Sequence, residues 1–182
     1  MSGARNAGVR LLDTDIVAVL DGDDAWEPDW TVAVGARFVD PEVVAASSWL
    51  RTFGVADWVL RPLGGDVTAF LARNNCSFSV AFRRSRWLAC GGYDETMTAG
   101  FDDWDFALRL LGAGGRLDVL PRALIRYRMF KPYRGEHVQR GVPPAAVVDP
   151  FDPVGDAEHR AGFGGPDVPV VELDLQAGPV GL

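Results

Sequence analysis

A chain of 182 residues with 48% hydrophobic content is long and apolar enough for one globular domain, which excludes a wholly disordered protein. Its formal charge of -7 is uneven, with 18 acidic and 17 basic side chains in residues 1–140 against seven and one in residues 141–182, so the basic stripe of a nucleic-acid binder is absent. No apolar run reaches the roughly 18–20 residues of a membrane span, and Met1 to Arg10 lacks a secretory apolar stretch, so a cytoplasmic setting is expected, with peripheral attachment to the inner face of a membrane left open.

In chain order, residues 4–12 read as a helix end leading into Ile16-Val17-Ala18-Val19-Leu20, an unbroken apolar strand suited to burial on both faces of a parallel sheet. Glu27-Pro28-Asp29 opens a helix that runs through residue 39 and ends at Asp40-Pro41. Strands are expected at 43–50 and 58–61 around a Gly54 turn, a short helix at 66–73, and a strand by alternation at 76–82. Residues 84–90 form a helix closed by Gly91-Gly92. A further helix starts near Asp103, because Trp104, Ala107, Leu108 and Leu111 recur at three- and four-residue intervals before Gly112. Residues 117–120 and 123–127 are short strands around Pro121. Of the last 42 residues, 14 are proline or glycine and acidic side chains dominate, so the chain divides into a domain over 1–135 and an extended Pro/Gly-rich acidic tail over 136–182. Cys76 and Cys90, without CxxC spacing or a nearby histidine, read as small core side chains.

Three constellations carry candidate chemistry. The apolar strand ends in Asp21-Gly22-Asp23-Asp24, where crowded carboxylates repel one another unless a cation or hydrogen-bond donors neutralise them. Oxygen ligands suit magnesium or manganese, Gly22 lets the backbone approach a ligand, and the spacing rejects an EF-hand loop; a merely solvated acidic loop is the plain alternative. The second is Asp102-Asp103-Trp104-Asp105 at a helix start, where one aspartate suffices for capping and a further one can accept a proton from an attacking hydroxyl. The third is Gly91-Gly92-Tyr93-Asp94-Glu95, which by itself is equally a helix stop and loop. Arg5-Asn6, Arg83-Arg84 and Arg126-Tyr127-Arg128 could face phosphate, although arginine here is frequent enough to be structural at each place.

Taken in order, Ala4-Arg5-Asn6-Ala7-Gly8, the Ile16 to Asp24 strand and carboxylates with Pro28 beyond, Gly91 to Glu95, and Asp102-Asp103-Trp104-Asp105 with Leu108-Arg109-Leu110 resemble the family 2 glycosyltransferases over roughly residues 4–130. The resemblance implies an α/β GT-A fold, a Rossmann-like mixed sheet flanked by helices, here lacking the first βα units that hold the nucleoside. It implies inverting transfer of a sugar from a nucleotide-diphosphate donor to the hydroxyl of a glycan, lipid or other acceptor, in cell-wall or polysaccharide synthesis. Asp21, Asp23, Arg5 and Asn6 would bind the donor, with Asp23, Asp21 and Asp24 on a manganese or magnesium ion. Asp103 would be the general base with Asp102 as its acidic neighbour, and Gly92, Tyr93 and Trp104 would shape the acceptor side.

Where family members begin with a further strand and βα unit, this chain is expected to show an open sheet edge and half a nucleotide pocket. Many members also carry a metal-binding histidine where Met129-Phe130-Lys131 stand, with His137 further on. The alternatives are an inactive glycosyltransferase-like relic or interaction module, and a phosphatase of the haloacid dehalogenase type, in which Asp21 would be the nucleophile.

Overall fold

The computed structural model describes residues 1–130 and the backbone of residues 170–172. The remainder of the acidic stretch, and His137 with it, lies outside the described residues. Helix α1 (Ser2–Leu11) leads into strand β1 (Ile16–Val19), followed by β2 (Ala25–Trp26), α2 (Trp30–Gly35), which tightens into a 3-10 turn (Ala36–Val39), β3 (Val43–Gly54), β4 (Val59–Leu60) and a second 3-10 turn (Val67–Phe70). Then come β5 (Val80–Arg83), α3 (Arg84–Cys90), α4 (Asp102–Leu111), β6 (Arg116–Met129) and β7 (Val170–Glu172). One seven-stranded sheet runs in the order β2-β6-β3-β5-β1-β7, with β4 paired to β3.

The sheet is mixed, as expected, but β1 differs from its sequence reading. It pairs antiparallel with β5 on one side and with β7 on the other, and the parallel pairing is that of β3 with β6. An unbroken apolar run reports that both faces are covered, which is independent of neighbour direction. Val17 and Val19 enter one core cluster and Ile16 and Ala18 the other, so period-two alternation explains why no polar residue interrupts the strand. Burying an aliphatic side chain of this kind contributes about 1.5–3 kcal/mol.

Each face of the sheet carries its own core. On one, Val9 of α1, Trp87 of α3 and Phe106, Leu110 and Leu111 of α4 pack with Phe82 and Tyr93. On the other, Trp30 and Val34 of α2 and Phe38 pack with Val43, Ala46 and Ile125.

The two short strands expected around Pro121 are one strand. The β3 to β6 register passes from Ser48↔Leu120 to Trp49↔Ala123, so Pro121 and Arg122 sit in a bulge where the missing proline N–H disrupts no ladder bond. The strand expected at 76–82 shortens to β5 because residues 74–79 turn inward instead, with Ser47, Ser77 and Ser79 bonded to one another in the interior. The helix expected at 66–73 is a single 3-10 turn, which the Asp66 carboxylate caps by accepting from the amides of Thr68 and Ala69. Among the described residues no helix is long and apolar enough to cross a membrane.

Candidate active site

Antiparallel β5 and the helices that follow it bring the amino end of α4 to the carboxyl end of β1. The side chain that joins them comes from α1. Arg5, buried with 1% of its side chain exposed, donates from Nη2 to Asp21 Oδ1 at 2.6 Å and from Nη1 to Asp102 Oδ2 at 3.0 Å. Its guanidinium lies 5.4 Å from the centre of the Tyr93 ring. Burial opposes its charge, yet the charges of Asp21 and Asp102, with the hydrogen bond to Asp21, outweigh that and raise its pKa above the ordinary arginine value. Asp102, itself buried, also accepts from Ser2 Oγ at 2.9 Å.

Asn6, next to Arg5 on α1, has its whole amide engaged within the protein. Its Nδ2 donates to the Tyr93 carbonyl and to Glu95 Oε1, while Oδ1 accepts from the Tyr93 amide and Trp87 Nε1. This fastens the loop after α3 to α1. Gly91 caps α3 at φ 83°, and Gly92 at φ 74° lies so close to Asn6 that a Cβ would fall 2.6 Å from Oδ1. Tyr93 is buried against Phe106, ring centroids 4.0 Å apart, and burial raises its phenol pKa.

The acidic start of α4 does more than satisfy the helix. The cap position is Phe101, held at φ 64°, a left-handed conformation uncommon for a bulky residue, and the three aspartates follow it. Asp102 meets Arg5 and Ser2, Asp105 pairs with Arg109 at 2.9 Å, and Asp103 Oδ2 accepts from Asn74 Nδ2 at 2.9 Å. Asp103, Asn74, Ser77 and Tyr93 border a cavity of about 10 Å³, the room of roughly one water molecule. Trp104 faces away from solvent in part, its Nε1 donating to the Phe70 carbonyl at 2.7 Å.

At the end of β1, Asp24 accepts from the Arg128 amide at 2.9 Å, and its other oxygen is buried without a hydrogen-bond partner. Burial, with added repulsion from Asp23 and Asp21 and against the opposing Arg128 amide bond, pushes its pKa up to about 8. Arg128 also donates to the Asp23 carbonyl at 3.1 Å. Among the described residues no three histidine, cysteine or carboxylate side chains converge as a complete metal set.

Of the residues named from sequence, the structure thus joins Asp21 to Asp102 through Arg5, and Gly92 to Tyr93 through Asn6. To these the structure adds Ser2, Asn74 and Arg128, which contact Asp102, Asp103 and Asp24 and have no place among the candidate site residues read from sequence. Arg128 was visible only as part of a basic cluster, and Ser2 and Asn74 carry no local signal, since each acts through a contact distant in sequence.

The family model for glycosyl transferase family 2 matches residues 1–88. The chain is 29% identical over 139 residues to the pre-mycofactocin glycosyltransferase of Mycobacterium tuberculosis, covering 69% of this chain and 29% of that protein. It is 30% identical over 111 residues to the glucosyl-dolichyl phosphate glucuronosyltransferase of Haloferax volcanii, covering 52% of this chain and 34% of that protein. It therefore spans about a third of the length of these curated relatives. The crystal structure of S. aureus TarS 1-349 superposes with a TM-score of 0.52 at 17% identity, over 70% of this chain and 40% of that one, a likeness of fold.

Proposed function

We propose that the chain, which matches the glycosyl transferase family 2 model over residues 1–88, has glycosyltransferases among its relatives and shares the fold of TarS, transfers a sugar, with inversion, from a nucleotide-diphosphate donor to an acceptor hydroxyl. One observation carries this reading. The Arg5 guanidinium ties the carboxylate motif at Asp21 to the start of α4, so the acidic group suited to a donor diphosphate and the acid suited to proton abstraction belong to one rigid unit.

In this reading Asp103 is the general base. It takes the proton of the acceptor hydroxyl as that oxygen bonds to the anomeric carbon and the bond to the diphosphate breaks. A single displacement needs no enzyme nucleophile. Asn74 fixes the Asp103 carboxylate, and Asp102 acts from behind as a positioning residue. Gly92, Tyr93 and Trp104 form the wall on the acceptor side of Asp103, with Tyr93 bordering the same small cavity. Arg5 and Asn6 serve the donor side by holding Asp21 and the adjoining loop.

Asp23, Asp21 and Asp24 would hold a manganese or magnesium ion. The chemistry of the donors supports this, because all are oxygen and Asp24 keeps one buried oxygen with no hydrogen-bond partner; since the three carboxylates do not converge as a complete set, diphosphate oxygens would supply the rest of the shell. When bound, the ion offsets the charge that develops on the leaving nucleoside diphosphate. The phosphatase alternative draws no support from these relatives, which are glycosyltransferases.

The test is incubation with a panel of nucleotide sugars and manganese, scoring donor hydrolysis and transfer, alongside calorimetric binding. Turnover that Asp103→Asn removes while donor binding persists supports the proposal. Binding of none of the nucleotides sinks it and favours the inactive module.

A further inference from the structure

An open cavity of about 530 Å³ is lined by Glu27, Arg51, Phe53, Asp57 and Arg126. It adjoins the carboxylate motif, because Ala25 pairs with Arg126 across β2 and β6 and the Arg128 amide donates to Asp24. Parallel pairing of β3 with β6 sets Arg51 opposite Arg126 and Phe53 opposite Arg128, so alternate residues of both strands share one face.

Like charges directly opposite one another destabilise a sheet. Asp57 neutralises one of them, accepting from Arg51 Nε at 2.7 Å and from Nη2 at 2.8 Å. Arg126 and Arg128 form no ion pair among the described residues; their guanidinium carbons lie 5.0 and 4.5 Å from the centre of the Phe53 ring. An arginine laid on an aromatic ring is preorganised, and Arg126 keeps its N–H fork available for an anion, whereas Arg128, outside the cavity lining, already donates from Nε to the Asp23 carbonyl. Glu27 adds a single acceptor at the same rim.

We propose that this cavity binds the acceptor by an acidic group on it, a sugar carboxylate or phosphate, held by Arg126 with Arg128 beside it and with Phe53 as the apolar wall. The assignment of the ligand as acceptor rests on the transfer reaction proposed above. The anion site itself does not.

Three probes of one carbohydrate skeleton test it by calorimetric titration of the full chain: a neutral disaccharide, its uronic acid counterpart and its 6-phosphate counterpart. At least one acidic probe binds ten-fold or more tightly than the neutral one, about the effect of one charge-assisted hydrogen bond. Arg126→Gln removes that preference and Arg126→Lys keeps part of it; both replace an exposed side chain. The better acidic probe identifies the anion as carboxylate or phosphate. Equal binding of all three, binding of none, or a preference that survives Arg126→Gln overturns the site. A separate titration of the unaltered chain with nucleoside diphosphates and manganese tests the donor reading alone. Nucleotide binding without acid preference removes the cavity assignment only, and acid preference without nucleotide binding removes the transfer reaction only.

Discussion

Arg5 and Asp102 stand 97 residues apart in sequence and 3.0 Å apart in the interior, Nη1 to Oδ2, with 1% and 5% of their side chains exposed. The same guanidinium holds Asp21 at 2.6 Å. Removing one member of such a pair leaves a buried charge uncompensated, so Arg5→Ala is expected to lower stability by about 3–5 kcal/mol. Asp102→Ala added to it costs less than the sum of the two single changes, because the charge left behind goes with it. Urea denaturation of the four proteins of this cycle measures the coupling. Additive losses would mean that the pair does not hold the two motifs together.

The double glycine after α3 separates backbone conformation from packing. Gly91 and Gly92 both have positive φ, 83° and 74°, so alanine at either carries the left-handed strain of a Cβ residue. At Gly91 an added Cβ meets nothing within 4 Å, whereas at Gly92 it meets Asn6 Oδ1 at 2.6 Å and Trp87 Nε1 at 2.9 Å. Gly91→Ala is therefore expected to cost about 1 kcal/mol and Gly92→Ala distinctly more. Thermal or urea unfolding that ranks them equally would mean that Asn6 and Trp87 yield freely.

Residue order alone gives α3 to the residue and places α1 and α4 within two residues of their starts: α4 shows as an apolar stripe at helical spacing and α3 by its double-glycine stop, whereas the buried face of α1 is Ser2, Arg5, Asn6 and Val9. It also isolated both acidic clusters. It missed β2, two residues long, because Ala25-Trp26 becomes a strand only by pairing with Ile125 and Arg126. It missed β7 for the same reason, its pairing partner β1 lying far away in sequence. The contacts of Asn6 with Tyr93, Trp87 and Glu95 are not legible in Ala4-Arg5-Asn6, because all three partners lie more than 80 residues away. The Gly91 to Glu95 loop stands out in the sequence only by its order among the other motifs, and the fold supplies a physical role for it, since Asn6 holds it.

Asp24 gives stability an unusual dependence on pH. Burial raises its folded-state pKa from 3.8 to about 8, so between those values the folded chain keeps a proton that the unfolded chain has lost. Its contribution is complete below the lower value and declines as pH rises to the upper one. Exposed carboxylates held low by hydrogen bonds, such as Asp57 and Asp94, act in the opposite sense at acid pH, so the parent must be compared with Asp24→Asn. With a chelator present, denaturation midpoints of the parent minus those of Asp24→Asn should fall steadily across this window. A difference independent of pH would show that Asp24 is ionised in the folded chain throughout.

Asn74 reaches the proposed base without touching the reacting atoms, and this predicts a distinctive kinetic pattern. It donates from Nδ2 to Asp103 Oδ2 at 2.9 Å, while its Oδ1 accepts weakly from the Cys76 amide at 3.4 Å. Asp103→Asn is expected to lower kcat by about 10²–10⁴ with donor affinity nearly unchanged, the scale of general-base catalysis. Asn74→Ala should lower kcat by roughly ten-fold through a misplaced carboxylate. If Asn74 works only by aiming Asp103, adding Asn74→Ala to Asp103→Asn should cost no further rate, since groups acting as a unit are not additive. A merely structural Asn74 would instead lower stability and donor affinity in both backgrounds. Single-turnover rates, donor Kd and unfolding midpoints of the three variants therefore separate positioning from packing, and multiplicative rate losses would remove Asn74 from the catalytic arrangement.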